Sequence, residues 1–319
     1  MDSGTLDRLD RKIIHALKVD GRAPFARIGA VLGVSDQTVA RRYARLRSTG
    51  ALRVVGVPQW YGMEEWFFRL HCTPDAAVQV AEALARRTDT YWVHLVSGGS
   101  EVLCATRPDT RASRDALLLS KLPRTPRITE FTAHQLLRRY EPDPMQFGQR
   151  LGGLDPDQVD ALRPPEPAGS AQAAPDDADR AILGVLGLDG RAGYPELARA
   201  AGCSESTARR RLDTLRDTGQ VWFDLDIPND IVPANTTTMI WLSVLPSELF
   251  AAAAQLARHP EVNFAAAVTG PDNLAASVTC RDGRALYDYL GDRVGRLPGV
   301  TRYETSPSVR VFKRHGQLG

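Results

Sequence analysis

No two cysteines of this chain stand at C-x-x-C spacing. The four it has, Cys72, Cys104, Cys203 and Cys280, are scattered through 319 residues. That argues against a zinc site and a disulfide scaffold, and it suits a reducing cytoplasm, the expected location. No apolar run approaches the roughly 18 residues that a membrane-spanning helix needs. The opening MDSGTLDRLDRK alternates acidic and basic residues without an apolar stretch, so neither a signal peptide nor a membrane partner is expected. There is no H-E-x-x-H, no phosphate-binding loop and no nucleophile–base constellation. The six histidines, His15, His71, His94, His134, His259 and His315, follow no ligand spacing. No catalytic residue, metal or cofactor is therefore assigned. The net charge of +2 says little until its distribution is examined.

What the chain does have is a repeat. Asp10–Gly50 aligns without a gap on Asp179–Gly219, 169 residues downstream, and about 17 of 41 positions are identical. GVSDQTVARRYARLRSTG (33–50) returns as GCSESTARRRLDTLRDTG (202–219), and DGRA (20–23) as DGRA (189–192). The period is that of a domain, far longer than a solenoid's, so the chain reads as a duplicated module.

Within the first copy, Ile13, Ile14 and Leu17 make the apolar stripe of one helix, and Phe25, Ile28 and Leu32 that of a second. Gly33 ends the second helix by taking the left-handed conformation of a sharp turn. Ser35 has the chemistry to cap a third helix. On that helix Val39, Tyr43 and Leu46 share one face, while Gln37, Thr38, Arg41, Arg42 and Arg45 lie on the other. Two helices joined by a glycine turn form a helix-turn-helix, whose second helix enters the major groove of double-stranded DNA. Arginine suits guanine edges and phosphates, and glutamine suits adenine. The expected DNA contacts are Ser35, Gln37, Thr38, Arg41, Arg42 and Arg45, with Ser206, Thr207, Arg210 and Arg211 in the second copy. The recurrence of Arg41 and Arg42 as Arg210 and Arg211 stands out, because helix stability calls for neither.

After each copy the pattern runs strand, helix, strand, tight turn, strand, helix, strand. Val/Ile/Trp/Phe/Thr-rich runs alternate with Ala/Leu/Arg-rich stretches. This is the order of the ferredoxin-like βαββαβ motif. The expected fold is α+β, two tandem copies of a winged helix-turn-helix followed by a ferredoxin-like domain. The boundaries are 1–56, 57–141, a Pro/Gly/Ala/Asp-rich linker at 142–175 holding a short helix near 157–162, then 176–224 and 225–319. The aromatics Trp60, Tyr61, Trp66, Phe67 and Phe68 read as core and domain-packing residues.

The stretch LDRLDRKIIHALKVDGRAPFARIGAVLGVSDQTVARRYARLRSTGAL resembles the DNA-binding domain of the Lrp/AsnC (feast/famine) transcription regulators. The likeness lies in L-D-x-x-D-x-x-I, D-G-R, G-V-S at the turn, R-R-x-x-R-L on the third helix and the T-G that follows. The βαββαβ segments are similar, more loosely, to that family's effector-binding domain. The resemblance implies a sequence-specific transcriptional regulator, not an enzyme, and an amino-acid-like effector bound near the turn between the second and third strands. Those turns hold Gly98, Gly99 and Ser100 in the first copy and Gly270 and Asp272 in the second; G-x-D is also a plain hairpin signal. Family members carry one unit and dimerise. With two units, this chain implies an intramolecular pseudo-dimer, and further pairing of chains through the sheet domains. Siroheme decarboxylases share the two-domain plan and give the rival, enzymatic reading; an architectural DNA-binding protein without ligand response is the other. The two heads differ in charge. Residues 1–55 carry eleven basic and five acidic side chains, a difference of +6, and residues 176–220 carry seven and eight, a difference of −1. Phosphate contacts dominate non-specific affinity, so the first head is expected to bind more strongly.

Overall fold

The computed structural model describes residues 6–59, 64–73, 75–108, 110–140, 142, 144–145, 147, 152–169, 174–228, 236–314 and 317–318. Trp60 and Tyr61 fall outside them, as does His315. The first half runs α1 (Arg8–Val19), α2 (Phe25–Leu32), α3 (Asp36–Ser48), β1 (Arg53–Pro58), β2 (Trp66–Cys72), α4 (Ala77–Ala85), β3 (Thr90–Val96), β4 (Glu101–Thr106), α5 (Arg111–Asp115, extended by a π-helical turn to Lys121) and β5 (Ile128–Tyr140). A connecting helix, α6 (Pro156–Leu162), follows. The second half repeats the order: α7 (Asp177–Leu188), α8 (Tyr194–Ala201), α9 (Glu205–Asp217), β6 (Val221–Asp226), β7 (Thr236–Val244), α10 (Leu249–Leu256), β8 (Val262–Val268), β9 (Leu274–Cys280), α11 (Gly283–Asp292), β10 (Val300–Arg314) and a two-residue β11 (Gln317–Leu318).

The chain divides into two compact units that cut across this order: residues 1–63 with 147–232, and residues 64–146 with 233–319. The first unit gathers both helical modules. In each, a capping box starts the leading helix: Asp7 with Asp10 in α1, Asp176 with Asp179 in α7. Gly33 and Gly202, both left-handed, end α2 and α8, and the Ser35 and Ser204 hydroxyls accept from the Thr38 and Thr207 backbones to open α3 and α9. Ile13, Leu17, Ile28, Val39 and Leu46 are buried in the first module, and Ile182, Leu186, Leu197, Ala208 and Leu215 in the second.

Sequence patterning does not single out β1 and β6, and they form the seam between the modules. They pair antiparallel from Arg53↔Asp226 to Pro58↔Val221; β1 thus runs past the boundary expected at 56. The connecting segment packs on the first module: His15 Nδ1 accepts the Leu154 backbone N–H at 2.8 Å, Gln158 donates to the Val31 carbonyl, and Arg27 donates to the Ala161 carbonyl from Nε and Nη2.

The second unit gathers both βαββαβ domains, with sheet orders β3-β4-β2-β5 and β8-β9-β7-β10. Two junctions join them, β5 to β8 and β10 to β3. Because β10 also pairs with β7, the eight strands close on themselves, which leaves no open edge within the ring. Strand alternation sorts the side chains. Phe68 and Leu70 pack with α4, and Ile240 and Leu242 with α10. Phe67, Leu103, Met239, Trp241, Ala266 and Ala275 make a third core, drawn from strands of both domains and from no helix.

Candidate nucleic-acid interface and effector turns

The third helix of each module presents one polar face. On α3, Ser35, Gln37, Arg41 and Arg45 are exposed and Thr38 and Arg42 half-buried. On α9, Ser206 and Arg210 are exposed and Thr207 and Arg211 half-buried. Ser35 and Thr38 share a hydroxyl contact of 2.9 Å at the exposed helix start, where free N–H groups favour anions.

The recurring arginine pair divides into two roles. Among the described residues neither Arg41 nor Arg210 makes an ion pair. Arg42 bonds Asp7 and, at 3.0 Å, Asp10; Arg211 bonds Asp176 at 2.9 Å and Asp179 at 2.8 Å. Each therefore clamps the capping box of its module's leading helix to the third helix. This corrects the expectation that stability calls for neither arginine: Arg42 and Arg211 recur because two cap carboxylates need a cation. Burial opposes ionisation of Asp7, but the Asp10 backbone N–H and the Arg42 guanidinium hold its carboxyl below the usual range. Arg45 also reaches Asp10, at 2.5 Å, while half its side chain stays exposed. The acids at positions 7 and 10 are the signal that identifies the clamp in the sequence.

The two faces then diverge. Ala44, Arg45 and Ser48 of α3 correspond to Asp213, Thr214 and Asp217 of α9, all exposed. Among the described residues neither Asp213 nor Asp217 has an ion-pair partner, so α9 carries two free carboxylates where α3 carries a guanidinium.

The turns expected to take an effector also differ. In the first, Ser97, Gly98 and Gly99 all have positive φ (53°, 68° and 94°). Ser97 donates to Glu101 at 2.8 Å, and Ser100 donates to the Ser97 carbonyl. Glu101 is buried and takes the Arg69 Nε at 2.7 Å. In the second, Gly270 has φ 110°, and a Cβ there would lie 2.7 Å from His134 Nδ1; His134 donates to the Thr269 carbonyl at 2.6 Å. Asp272 is buried and already accepts Ser243 and Arg302, each at 2.7 Å. The Asp272 carboxylate is thus already engaged by an internal guanidinium, a partner that the G-x-D pattern does not reveal. The two turns are thus not copies of one pocket.

The described histidines have separate surroundings. His94 stacks on Trp92 with centroids 4.0 Å apart, and burial, with Arg314 nearby, pushes its pKa down to about 3. His259 contacts the Tyr289 hydroxyl, and His15 holds the connecting segment. Among the described residues no group of three His, Cys, Asp or Glu side chains could hold a metal ion, and no helix is long and apolar enough to cross a membrane.

Known proteins place these features. The sequence model of the AsnC-type helix-turn-helix domain matches twice, at 6–47 and 176–216, and that of the Lrp/AsnC ligand-binding domain matches 237–318. An HTH-type transcriptional regulator of Pyrococcus abyssi is 30% identical over 139 residues, 43% of this chain and 88% of that protein. The LrpA regulator of Pyrococcus horikoshii is 27% identical over 128 residues, 40% of this chain and 91% of the relative. The crystal structure of the siroheme decarboxylase NirDL superposes with a TM-score of 0.64 over 97% of this chain and 93% of that one, at 13% identity, a likeness of fold. The chain belongs to the Lrp/AsnC family of helix-turn-helix transcriptional regulators, and it carries the family's DNA-binding module twice.

Proposed function

We propose that one polypeptide acts as a pseudo-dimeric, sequence-specific DNA-binding regulator, with α3 as its principal reading helix. The observation that carries this is the exposed face of α3, where, among the described residues, the Gln37 and Arg41 side chains have no ion-pair or hydrogen-bond partner beside the helix N-terminus. Ser35, Thr38 and Arg45 flank them, and Ser206, Thr207 and Arg210 offer the weaker counterpart on α9. Arg42 and Arg211 act through the clamp, holding these helices at a fixed angle to α1 and α7. The pseudo-dimer reading is supported by the junctions β1–β6, β5–β8 and β3–β10, each joining one half of the chain to the other.

The test is a gel shift with the DNA upstream of the protein's own gene, run beside Arg41→Ala at several salt concentrations. Sequence-preferring binding that falls in the variant supports the reading. Binding no better than to random DNA, with the protein folded, sinks it.

The ligand response is the finer part of the proposal. A small amino-acid-like molecule engages the turn at Gly98–Ser100, or displaces Arg302 from Asp272 beside Gly270. A thermal-shift screen against amino acids tests this, since a ligand that binds only the folded state raises its stability. Further pairing of chains through the outer faces of the sheet domains is read by light scattering. The enzymatic alternative draws on the whole-chain likeness to NirDL. A strong visible absorbance band in purified protein would favour it; silence there and a positive gel shift favour the regulator.

A further inference from the structure

The contacts between the two halves fall into two kinds. Some are the same in both directions. Arg22 donates to the Gly190 and Ala192 carbonyls, and Arg191 to those of Gly21 and Ala23. Arg47 pairs with Asp189, and Arg216 with Asp20. Contacts of this kind would form equally well between two first halves or two second halves.

Among the described residues three ion pairs run one way only. In the helical unit, Lys18 meets Asp224 at 2.5 Å and Arg53 meets Asp226. In the sheet unit, Arg69 grips Glu304 with both terminal nitrogens, one of them at 3.1 Å, and lies 4.9 Å over the Trp241 ring. Each time the cation comes from the first half and the carboxylate from the second. The 169-residue offset puts Gly187 and Trp222 at the places of Lys18 and Arg53, and Val55 and Val57 at those of Asp224 and Asp226. In the sheets the ladders set the equivalence: Arg69 stands opposite Leu103 and Thr132, and Trp241 opposite Ala275 and Glu304. Trp241 therefore replaces Arg69, and Glu304 replaces Thr132. No second copy of any of the three pairs exists.

We propose that these pairs form a one-way charge code by which the first half of the chain accepts a second half and rejects another first half. Two first halves would set Lys18 against Val55, Arg53 against Val57, and Arg69 against a second Arg69 and Thr132. Two second halves would leave Asp224, Asp226 and Glu304 facing Gly187, Trp222 and Trp241. Either match gives up all three ion pairs, and at Lys18, Asp224, Arg53 and Asp226, whose side chains are mostly buried, that loss is costlier than losing a surface pair. Arg69 has a second tie, to buried Glu101 of its own domain, so it stays ionised and aimed across the interface whether or not a partner is present. The inference rests on the pseudo-dimer reading and adds which surfaces choose each other.

The experiment keeps the whole protein. A protease site inserted between Glu166 and Gly169, where every residue is exposed, is cut after folding. Native mass spectrometry then reads which halves pair after nicked, isotope-labelled samples are remixed. The unsubstituted protein should give only first–second pairs, loosened by salt. Asp224→Val, Asp226→Val and Glu304→Thr together give the second half the first half's residues. The triple variant should weaken the first–second pair about 100-fold and yield second-half homodimers. Glu304→Lys alone, at a half-exposed side chain, keeps the fold safe and should weaken pairing about 10-fold. If both variants pair as tightly and as exclusively as the unsubstituted halves, the charge code is wrong. If the unsubstituted halves separate, or pair with their own kind, the pseudo-dimer reading itself fails and the code with it.

Discussion

Arg22 and Arg191 are exchanged across the seam of the helical unit: each guanidinium is held by two backbone carbonyls of the other's loop. Arg22 lies over Tyr194 and Phe223, and Arg191 over Phe25 and Tyr43. The repeated DGRA thus has a concrete task. Its glycine lets the two loops approach, since a Cβ on Gly21 would come within 2.6 Å of the Phe223 side chain, and its arginine bridges them.

Arg22→Ala should cost about 2–3 kcal/mol, the loss of charge-assisted bonds plus two buried carbonyls left unmet. Arg22→Lys should recover little of it, because an ammonium neither forks to two carbonyls nor stacks as a planar guanidinium does. Urea denaturation followed by far-ultraviolet circular dichroism reads both.

DNA binding by the two heads should separate by salt. Arg41→Ala is expected to lower the slope of log K against log salt by about 1, and Arg210→Ala by less. Equal losses at the two positions would contradict the ranking of the heads.

Converting α9 to the α3 face should strengthen binding. Asp213→Ala, Thr214→Arg and Asp217→Ser remove two carboxylates and add a guanidinium at exposed positions, so folding should be unaffected while the salt slope steepens by about 1. Fluorescence anisotropy with labelled operator DNA reads the change; a weaker complex would mean that the carboxylates contact base edges, as acids do with cytosine.

Acid should unlock the first sheet domain at Glu65. Burial alone would raise its pKa, but the charges of Arg107 and Arg139, with hydrogen bonds from Arg139 and Tyr91, bring it from 4.5 down to about 2. The folded value lies below the unfolded one, so the stabilisation is complete above pH 4.5 and is lost as pH falls towards 2. The urea midpoint should drop across that window, and Glu65→Gln should flatten the dependence while lowering stability at neutral pH by about 3 kcal/mol, since two arginines then lack their carboxylate.

Gly153→Ala should loosen the connecting segment. The added methyl would lie 2.5 Å from His15 Nδ1, so α6 must shift off the first module at a cost of about 1–3 kcal/mol. Hydrogen exchange at Val159 and Leu162 should rise while α9, in the other module, stays protected.

Much of this molecule is legible along the chain because its signals are local. The i, i+3, i+4 stripe of Ile13, Ile14 and Leu17, the caps at Ser35 and Ser204, and the turns at Gly33 and Gly202 each depend on a few neighbouring residues. The strands from Trp66–Cys72 onward are visible as apolar runs. By contrast, β1 and β6 are short, and RVVGVP and VWFDLD become strands only by pairing with each other. Of the candidate site residues, the exposed arginines follow from helix periodicity. The engagement of Arg42 by Asp7 and of Asp272 by Arg302 joins residues some 30 or more positions apart, which no periodicity reports.

Sequence by itself determined the duplication, the trihelical DNA-binding pattern, the βαββαβ order and the unequal charge of the two heads, because these are written in spacing and composition. Tertiary structure alone decided which copy touches which. It drew the helical modules into one unit and the sheet domains into another, turned Arg42 and Arg211 from free cations into clamps, and set Arg69 against Trp241 and Glu304. Those outcomes depend on burial and on the pairing of distant strands, and a charge acquires its partner only when the fold has brought the two together and removed the water between them.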